Sequence, residues 1–456
     1  MGDIVKHNWE KKQKNANKRK RERGMLIRIR NNKRRQNLKH FQKERIFPNK
    51  VFHFLNKKQF GKGIRFSEWK RNCVTLYIPA SFSFSENPND TIEFLKNLYY
   101  YGSKLEIREI NIDHSYCYNL EIAASTVMDV IVLSIEEYHR KNKSEISFSG
   151  TIPGEGKVKD IFMASGLAAH MRLEMQTGIP VDWEHIQRFK LLSGYHGSQR
   201  SGLVATNLAE YIIKCMKRQG YTLTNKGKNI LGNLFGEVLD NCEIHGGENS
   251  TWFALGHYQE NCKGENYGEI QLVIFDFGDT IYEQLCADST SAETKEKLKY
   301  LSMKHEKYFN RKWTKEMLYT LLSLQEGISR LKDNTIEGNK RRGIGTVKLI
   351  KNFQQIGQTQ NGRKSIMTIT SGNTHIRFDQ SYYMRKMDIQ DEVLGKGPRG
   401  IIAFNMENDI FQPPKEEYVC RLKGYFPGTV ISLNFFLDRE YLTQILESKE
   451  KGGSKK

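Results

Sequence analysis

Between residues 73 and 170 the apolar positions change period repeatedly. VTLYIP, beginning at Val74, reads as a strand, and Asp90 to Tyr100 reads as a helix with Ile92, Leu95 and Leu98 turned inward. Ile107 to Ile112 is a second strand, Leu120 to Tyr138 a long helix, Ile146 to Phe148 a third strand and Val158 to Gly166 another helix. Such alternation predicts a small α/β domain with a mixed sheet over residues 51–180. Residues 181–202, with LSGYHGSQR, read as a connector rich in turn formers.

A second pattern spans residues 203–437. Leu203 to Met216 predicts a short amphipathic helix, and Ile230 to His245 a longer one whose apolar side holds Leu231, Leu234, Phe235, Val238, Leu239 and Cys242. Thr251 to Tyr258 and Gly268 to Asp276 should pair as antiparallel strands, the second buried on both faces because Leu272 to Phe275 is uniformly apolar. Residues 284–337 are an insert with helical periodicity over Glu293 to Tyr308 and Lys315 to Leu324. Ser365 to Ile369 and His375 to Asp379 read as strands around the turn Ser371-Gly372-Asn373, and Val430 to Phe436 as the strand that closes the sheet. The polar stretch 380–427, with Pro413 and Pro414, takes no assignment, and residues 438–456 read as a tail.

Polar residues interrupt this pattern at three places. Glu237, Asn241 and His245 recur every fourth residue along one edge of the long helix, which turns them partly toward the core and calls for a partner. A carboxamide one turn from a carboxylate suits a magnesium site, with Asn241 offering a hard oxygen and Glu237 polarising a water or hydroxyl. Asp276 stops a buried strand at the turn Phe277-Gly278, where a carboxylate faces whatever lies beyond the strand end. The run GNKRRGIGTVKLI, from Gly338, opens a helix with closely spaced glycines, whose N–H groups can approach phosphate oxygens at the positive end of the helix.

Taken in order, these segments resemble the nucleotide-binding boxes of the GHKL ATPase superfamily, which includes gyrase, the MutL repair protein, histidine kinases and the large heat-shock chaperone. Glu237, Asn241 and His245 match E-x-x-x-N-x-x-x-H; Asp276 and Gly278 match D-x-G; Gly338, Gly343 and Gly345 match the glycine box; and Gly428-Thr429 precedes the last strand. The resemblance covers about half the chain. It implies a C-terminal Bergerat-type α/β sandwich that binds ATP and Mg²⁺. In it Asp276 would accept the adenine amino group, Asn241 would ligate the metal and Glu237 would activate the attacking water. Gly338, Gly343, Ile344, Gly345 and Thr346 would wrap the phosphates, and His245, Gly278 and Thr429 would complete the pocket. Thr280 stands where the family often has another glycine, which implies a stiffer backbone there.

The 51–180 domain resembles a STAS domain, a frequent neighbour of these ATPases, and Ser115, Ser125 and Thr126 are its available hydroxyls. The insert, with QEGISR before the glycine box, resembles a nucleotide lid. His170, His185 and His196 lack the acidic and Arg-x-Pro neighbours of a phospho-acceptor, which argues against a conventional histidine kinase. The implied function is ATP-dependent switching of a protein partner or of a homodimer. A serine/threonine kinase of the anti-sigma type and a non-catalytic scaffold are the alternatives.

Charge changes this picture at one end only. Residues 1–50 carry 18 Lys and Arg against 4 Asp and Glu, so the remaining chain holds only +6 of the formal +20. Such a basic arm suits a nucleic-acid contact or an acidic protein surface, with salt-dependent affinity. No apolar run reaches the ~18 to 20 residues a membrane helix needs, and the N-terminus lacks a signal-like apolar core, so a cytoplasmic protein with no membrane contact is expected. Seven cysteines without a C-x-x-C pair suggest neither a disulfide framework nor a zinc site.

Overall fold

The protein is described by a computed structural model covering residues 50–57, 60, 67–70, 72–154, 156–170, 172–248, 250–260, 267–328, 345–356 and 365–438. The basic arm, save Lys50, and all of the tail but Asp438 lie outside the described residues. The described chain is a mixed α/β structure whose helices and sheets stack in four layers.

The first layer is a sheet of β1 (Ser67–Lys70), β2 (Cys73–Tyr77), β4 (Glu109–Asp113) and β6 (Ser147–Gly150), in that order; a two-residue pair, β3 (Ser81–Phe82) with β5 (Asn119–Leu120), lies apart from it. β2, β4 and β6 run parallel and β1 antiparallel, the mixed sheet that the alternation predicts. α1 (Lys50–Lys57) precedes it, and the crossovers α2 (Pro88–Gly102) and α3 (Ile122–Lys141) form the second layer. Neither helix is amphipathic in the usual one-sided way. Ile122 to Ile135 of α3 is buried throughout, because a second sheet covers the other side of the helix. α4 (Lys157–Ala164), α5 (Gly166–His170) and α6 (Leu173–Thr177) lead toward that sheet.

The third layer is antiparallel, in the order β10 (Ile366–Phe378), β13 (Val419–Asp438), β9 (Tyr267–Phe277), β8 (Thr251–Glu260) and β7 (Ile186–Tyr195). Side chains alternate across it with a period of two. On β9, Ile270, Leu272 and Ile274 face one hydrophobic core while Val273, Phe275 and Phe277 face the other. The latter core is shared with the first unit. Phe253 stacks on Phe275 at 5.0 Å, Phe277 on Phe426 at 5.5 Å, and Phe84 of the first unit meets Phe426 edge-on at 6.2 Å. At about 1.5–3 kcal/mol per large apolar side chain removed from water, this seam holds the two units together.

The fourth layer packs on the opposite face. It contains α7 (Ser201–Arg218), α8 (Asn225–His245), α10 (Ala292–His305), α11 (Lys315–Leu322) and α12 (Gly345–Ile356), with the short α9 (Ile281–Cys286) beside β10. Thr224 caps α8 by accepting a hydrogen bond from the Gly227 N–H at 3.2 Å. Buried Glu243 ties α8 to the start of α7, its carboxylate accepting from the Gln199 and Ser201 N–H groups at 2.5 and 3.1 Å and from the Trp252 indole at 3.2 Å.

Several expectations change here. The stretch 181–202 is no connector: it contains β7, an edge strand of ten residues, disguised in the sequence by a register shift between Phe189 and Leu192. The two short strands around Ser371 are one continuous strand, β10, bulged at Gly372. Val430 to Phe436 does not close the sheet, since β13 lies between β10 and β9. The polar stretch 380–427 includes the hairpin of β11 (Arg385–Asp391) and β12 (Gly395–Ile401) and the beginning of β13. Within the insert 284–337, α11 buries Met317, Leu318, Leu321 and Leu322, and α10 buries Leu298 and Leu301. Those helices are core elements, and the remainder of the insert, 329–337, lies outside the described residues.

Candidate functional site

Asp276 of β9, Gly428 and Thr429 of β13 and the C-terminal end of α8, through Cys242 and Gly246, meet at one end of the five-stranded sheet. Asp276 pairs with Thr429 across the β9–β13 ladder, and by alternation its side chain leaves the face that packs on α8. The turn after it is pinned on two sides. Gly278 N–H donates to the Pro427 carbonyl at 3.2 Å, and Asp279 N–H donates to the carbonyl of Gly246, the C-cap of α8, at 2.9 Å.

Two glycines make this convergence possible. A Cβ on Gly278 would run into the Gly246 carbonyl. Gly428, at φ +138°, occupies backbone space that L side chains avoid, and a Cβ there would meet the main-chain carbonyl of Asp276.

Asp276 is 2% exposed, and its carboxyl is pushed up to about 8. Burial is the main cause and the nearby Asp279 charge adds to it, while hydrogen bonds from the Cys242 thiol and the Thr429 N–H act the other way. Even so, Oδ1 has no hydrogen-bond partner among the described residues. A buried carboxyl oxygen left unpaired costs free energy that a ligand donor would recover.

Thr429 is held for its part by Ser371. That hydroxyl lies 3.1 Å from Thr429 Oγ1, donates to the Gly428 carbonyl at 3.0 Å and accepts from the Ile281 N–H at 3.0 Å. Thr280 N-caps α9 in a reciprocal box with Glu283: the Glu283 N–H donates to its hydroxyl at 3.2 Å, and its own N–H donates to the Glu283 carboxylate at 2.8 Å. A third glycine would forfeit that cap, which is what a threonine contributes at this position.

On α8 the expected inward tilt is only half realised. Glu237 is half-buried, but Asn241 is exposed, and neither makes a hydrogen bond or ion pair among the described residues. His245 ends the helix. Of the glycine box, Gly338, Gly343 and Ile344 lie outside the described residues, while Gly345 and the half-buried Thr346 begin α12. α12 packs on α8, so the helix that follows the box adjoins the helix bearing Glu237 and Asn241.

Two contributors escaped the sequence reading. Cys242 looked like one more apolar position beside Asn241, yet its thiol faces Asp276. Ser371 lay in a presumed turn, and only the continuity of β10 brings it to Gly428.

Comparison with known proteins finds no matching family model, no matching curated protein and no matching solved structure.

Proposed function

We propose that this protein binds Mg-ATP at the junction of α8, β9 and β13, hydrolyses it, and uses the nucleotide to switch its association with a partner protein or a second copy. The observation that carries the reading is the unpaired, buried Oδ1 of Asp276, which lies beside two glycines, Gly278 and Gly428, that let the backbone close in around it. An acceptor in that setting suits the exocyclic amine of adenine. The order of the chain's motifs, resembling GHKL ATPases over a STAS-like unit, supports the same assignment.

The donor set fits the metal. Among the described residues no three His, Cys, Asp or Glu side chains gather as a metal cage. Magnesium characteristically keeps several waters and takes substrate phosphate oxygens with one or two protein ligands, so a single oxygen from Asn241 suffices. Glu237, one turn earlier and half-buried, would polarise a water. Thr346, at the start of α12, would offer its N–H and hydroxyl to phosphate. Among the described residues no helix is long and apolar enough to cross a membrane.

Incubation of the pure protein with γ-labelled ATP and magnesium, alone and with candidate partners, tests this function. Free phosphate supports hydrolysis. Label on a partner serine or threonine would replace it with protein-kinase activity, and no binding by calorimetry would overturn the assignment.

A further inference from the structure

Beyond the basic arm, positive charge is spread unevenly. Residues 51–180 are balanced, with 15 Lys and Arg against 15 Asp and Glu, whereas residues 292–315, which form α10, the turn after it and the first residue of α11, carry 8 against 3. Lys299, Lys304, Lys307, Arg311 and Lys315 are exposed, and among the described residues none of them joins an ion pair. Lys297 and Lys312 are taken up by Glu293 and Glu416. Glu296 and Glu306 are exposed on the same stretch and leave the excess in place.

Several of these charges are held in place. The Lys304 ammonium lies over the Tyr300 ring at 5.1 Å, Lys307 over Tyr308 at 4.8 Å and Lys315 over Tyr319 at 5.3 Å. The rings are anchored in turn: the Tyr300 hydroxyl donates to the Asp391 carboxylate at 2.7 Å, Tyr308 meets His305 edge-on, and Tyr319 is buried against Tyr282. Arg421 of β13 donates to the Arg311 carbonyl at 3.4 Å and brings a further cation to the row. A lysine head fixed before its partner arrives loses less entropy on binding. Of residues 292–315, all of them described, Met303 is the only large apolar side chain that is exposed.

We propose that this flank of α10 and the turn after it is a docking surface for the phosphate backbone of a duplex nucleic acid. A protein partner calls for an apolar core to the interface, and a membrane calls for apolar side chains to bury; one exposed methionine supplies neither. A single strand is held by bases stacked on open aromatic rings, but one face each of Tyr300, Tyr308 and Tyr319 is already taken by a lysine. What the flank offers is a row of cations along a helix, complementary to a polyanion of regular charge spacing and indifferent to its base sequence. The proposal stands apart from the nucleotide reading given above, and it concerns the folded fourth layer, not the N-terminal arm.

The test measures fluorescence anisotropy of labelled duplex DNA and duplex RNA over a range of salt, with the full-length protein and two full-length triple variants. One variant carries Lys304→Ala, Lys307→Ala and Arg311→Ala; the other removes the same charge from the balanced first unit by Lys104→Ala, Arg140→Ala and Lys141→Ala. Each lost phosphate contact lowers the slope of log affinity against log salt by about 0.9, so the first variant should lose about 2 to 3 of that slope and bind about tenfold or more weakly near 0.1 M salt. The second should stay within a few fold of wild type. Unfolding temperature should match wild type in the first variant, whose three altered side chains are exposed. An unchanged slope in the first variant, or an equal loss in the second, overturns the proposal. So does a wild type that binds neither duplex, or one that binds a single strand or poly-glutamate as tightly as a duplex.

Discussion

The hydroxyl of Ser432 on β13 donates to the carboxylate of Glu121, at the N-terminus of α3, across the seam between the two units. Glu121 is buried and also accepts from Ser83 Oγ at 2.6 Å and from the N–H and hydroxyl of Ser85 at 2.9 and 3.0 Å. Thr429, which pairs with Asp276, lies three residues before Ser432 on the same strand. The first unit is therefore a back wall to the candidate site.

Glu121→Ala should destabilise the whole protein by about 2–4 kcal/mol, because it strands four hydroxyl or amide donors at a buried seam. Denaturant unfolding should remain one transition. Residues 181–438 produced alone should fail to yield a stable monomer, since Phe253, Phe275, Phe277 and Phe426 would lose their cover. A folded, soluble fragment would show that the units are independent.

Asn241→Ala should abolish magnesium-dependent ATP affinity while leaving the unfolding temperature within a degree or so, since the residue is exposed and its truncation leaves no cavity. Calorimetry with and without magnesium measures this; equal affinity in mutant and wild type removes Asn241 from the site.

Glu237→Ala separates binding from chemistry. Affinity for ATP should stay within a few fold while turnover falls by about 10²-fold or more, the scale of general-base loss. Hydrolysis at the wild-type rate would exclude the glutamate as the base.

Asp276→Asn makes a pH-dependent prediction. In the unfolded chain this carboxyl ionises near its ordinary value of 3.8 and in the folded protein near 8, so between those limits the folded state holds a proton that the unfolded state has lost. Its contribution to stability therefore declines as pH rises through that window. The asparagine variant should gain in unfolding temperature relative to wild type on going from pH 5 to pH 8. Asp129, raised to about 7 by burial, adds a slope of the same sign that both proteins share. A difference independent of pH would mean that Asp276 is not held protonated.

Removal of residues 1–50 should leave ATP affinity unchanged and should lower any affinity for DNA or RNA, with a flatter dependence on salt. If the full chain shows no salt-sensitive nucleic-acid binding, the arm's charge serves a protein contact.

Much of this was legible in the sequence, and the failures share a cause. Helices such as 225–245 and 122–141 announce themselves through long apolar periodicity, and β9 through an apolar run. β7 did not, because its bulge breaks the alternation and Gly194 and Gly197 resemble turn signals. α10 and α11 were legible as helices but not as core, since the surface that buries them comes from β10 and the chain near Phe404 and Ile410, far away in sequence. Asp276 is marked in the sequence by its strand end, whereas the spacing that singles out Asn241 does not foretell its exposure. The meaning of Cys242 and Ser371 depends on what faces them, which no local pattern encodes.

The two-residue period of β9 has a last consequence. Asp276 and its neighbours Phe275 and Phe277 are assigned to opposite sides of the sheet by parity alone. Inserting or deleting one residue within Tyr267–Phe277 would transpose them, sending a carboxylate into the aromatic seam and a phenyl ring onto the face that packs on α8. The strand itself therefore tolerates change only in steps of two.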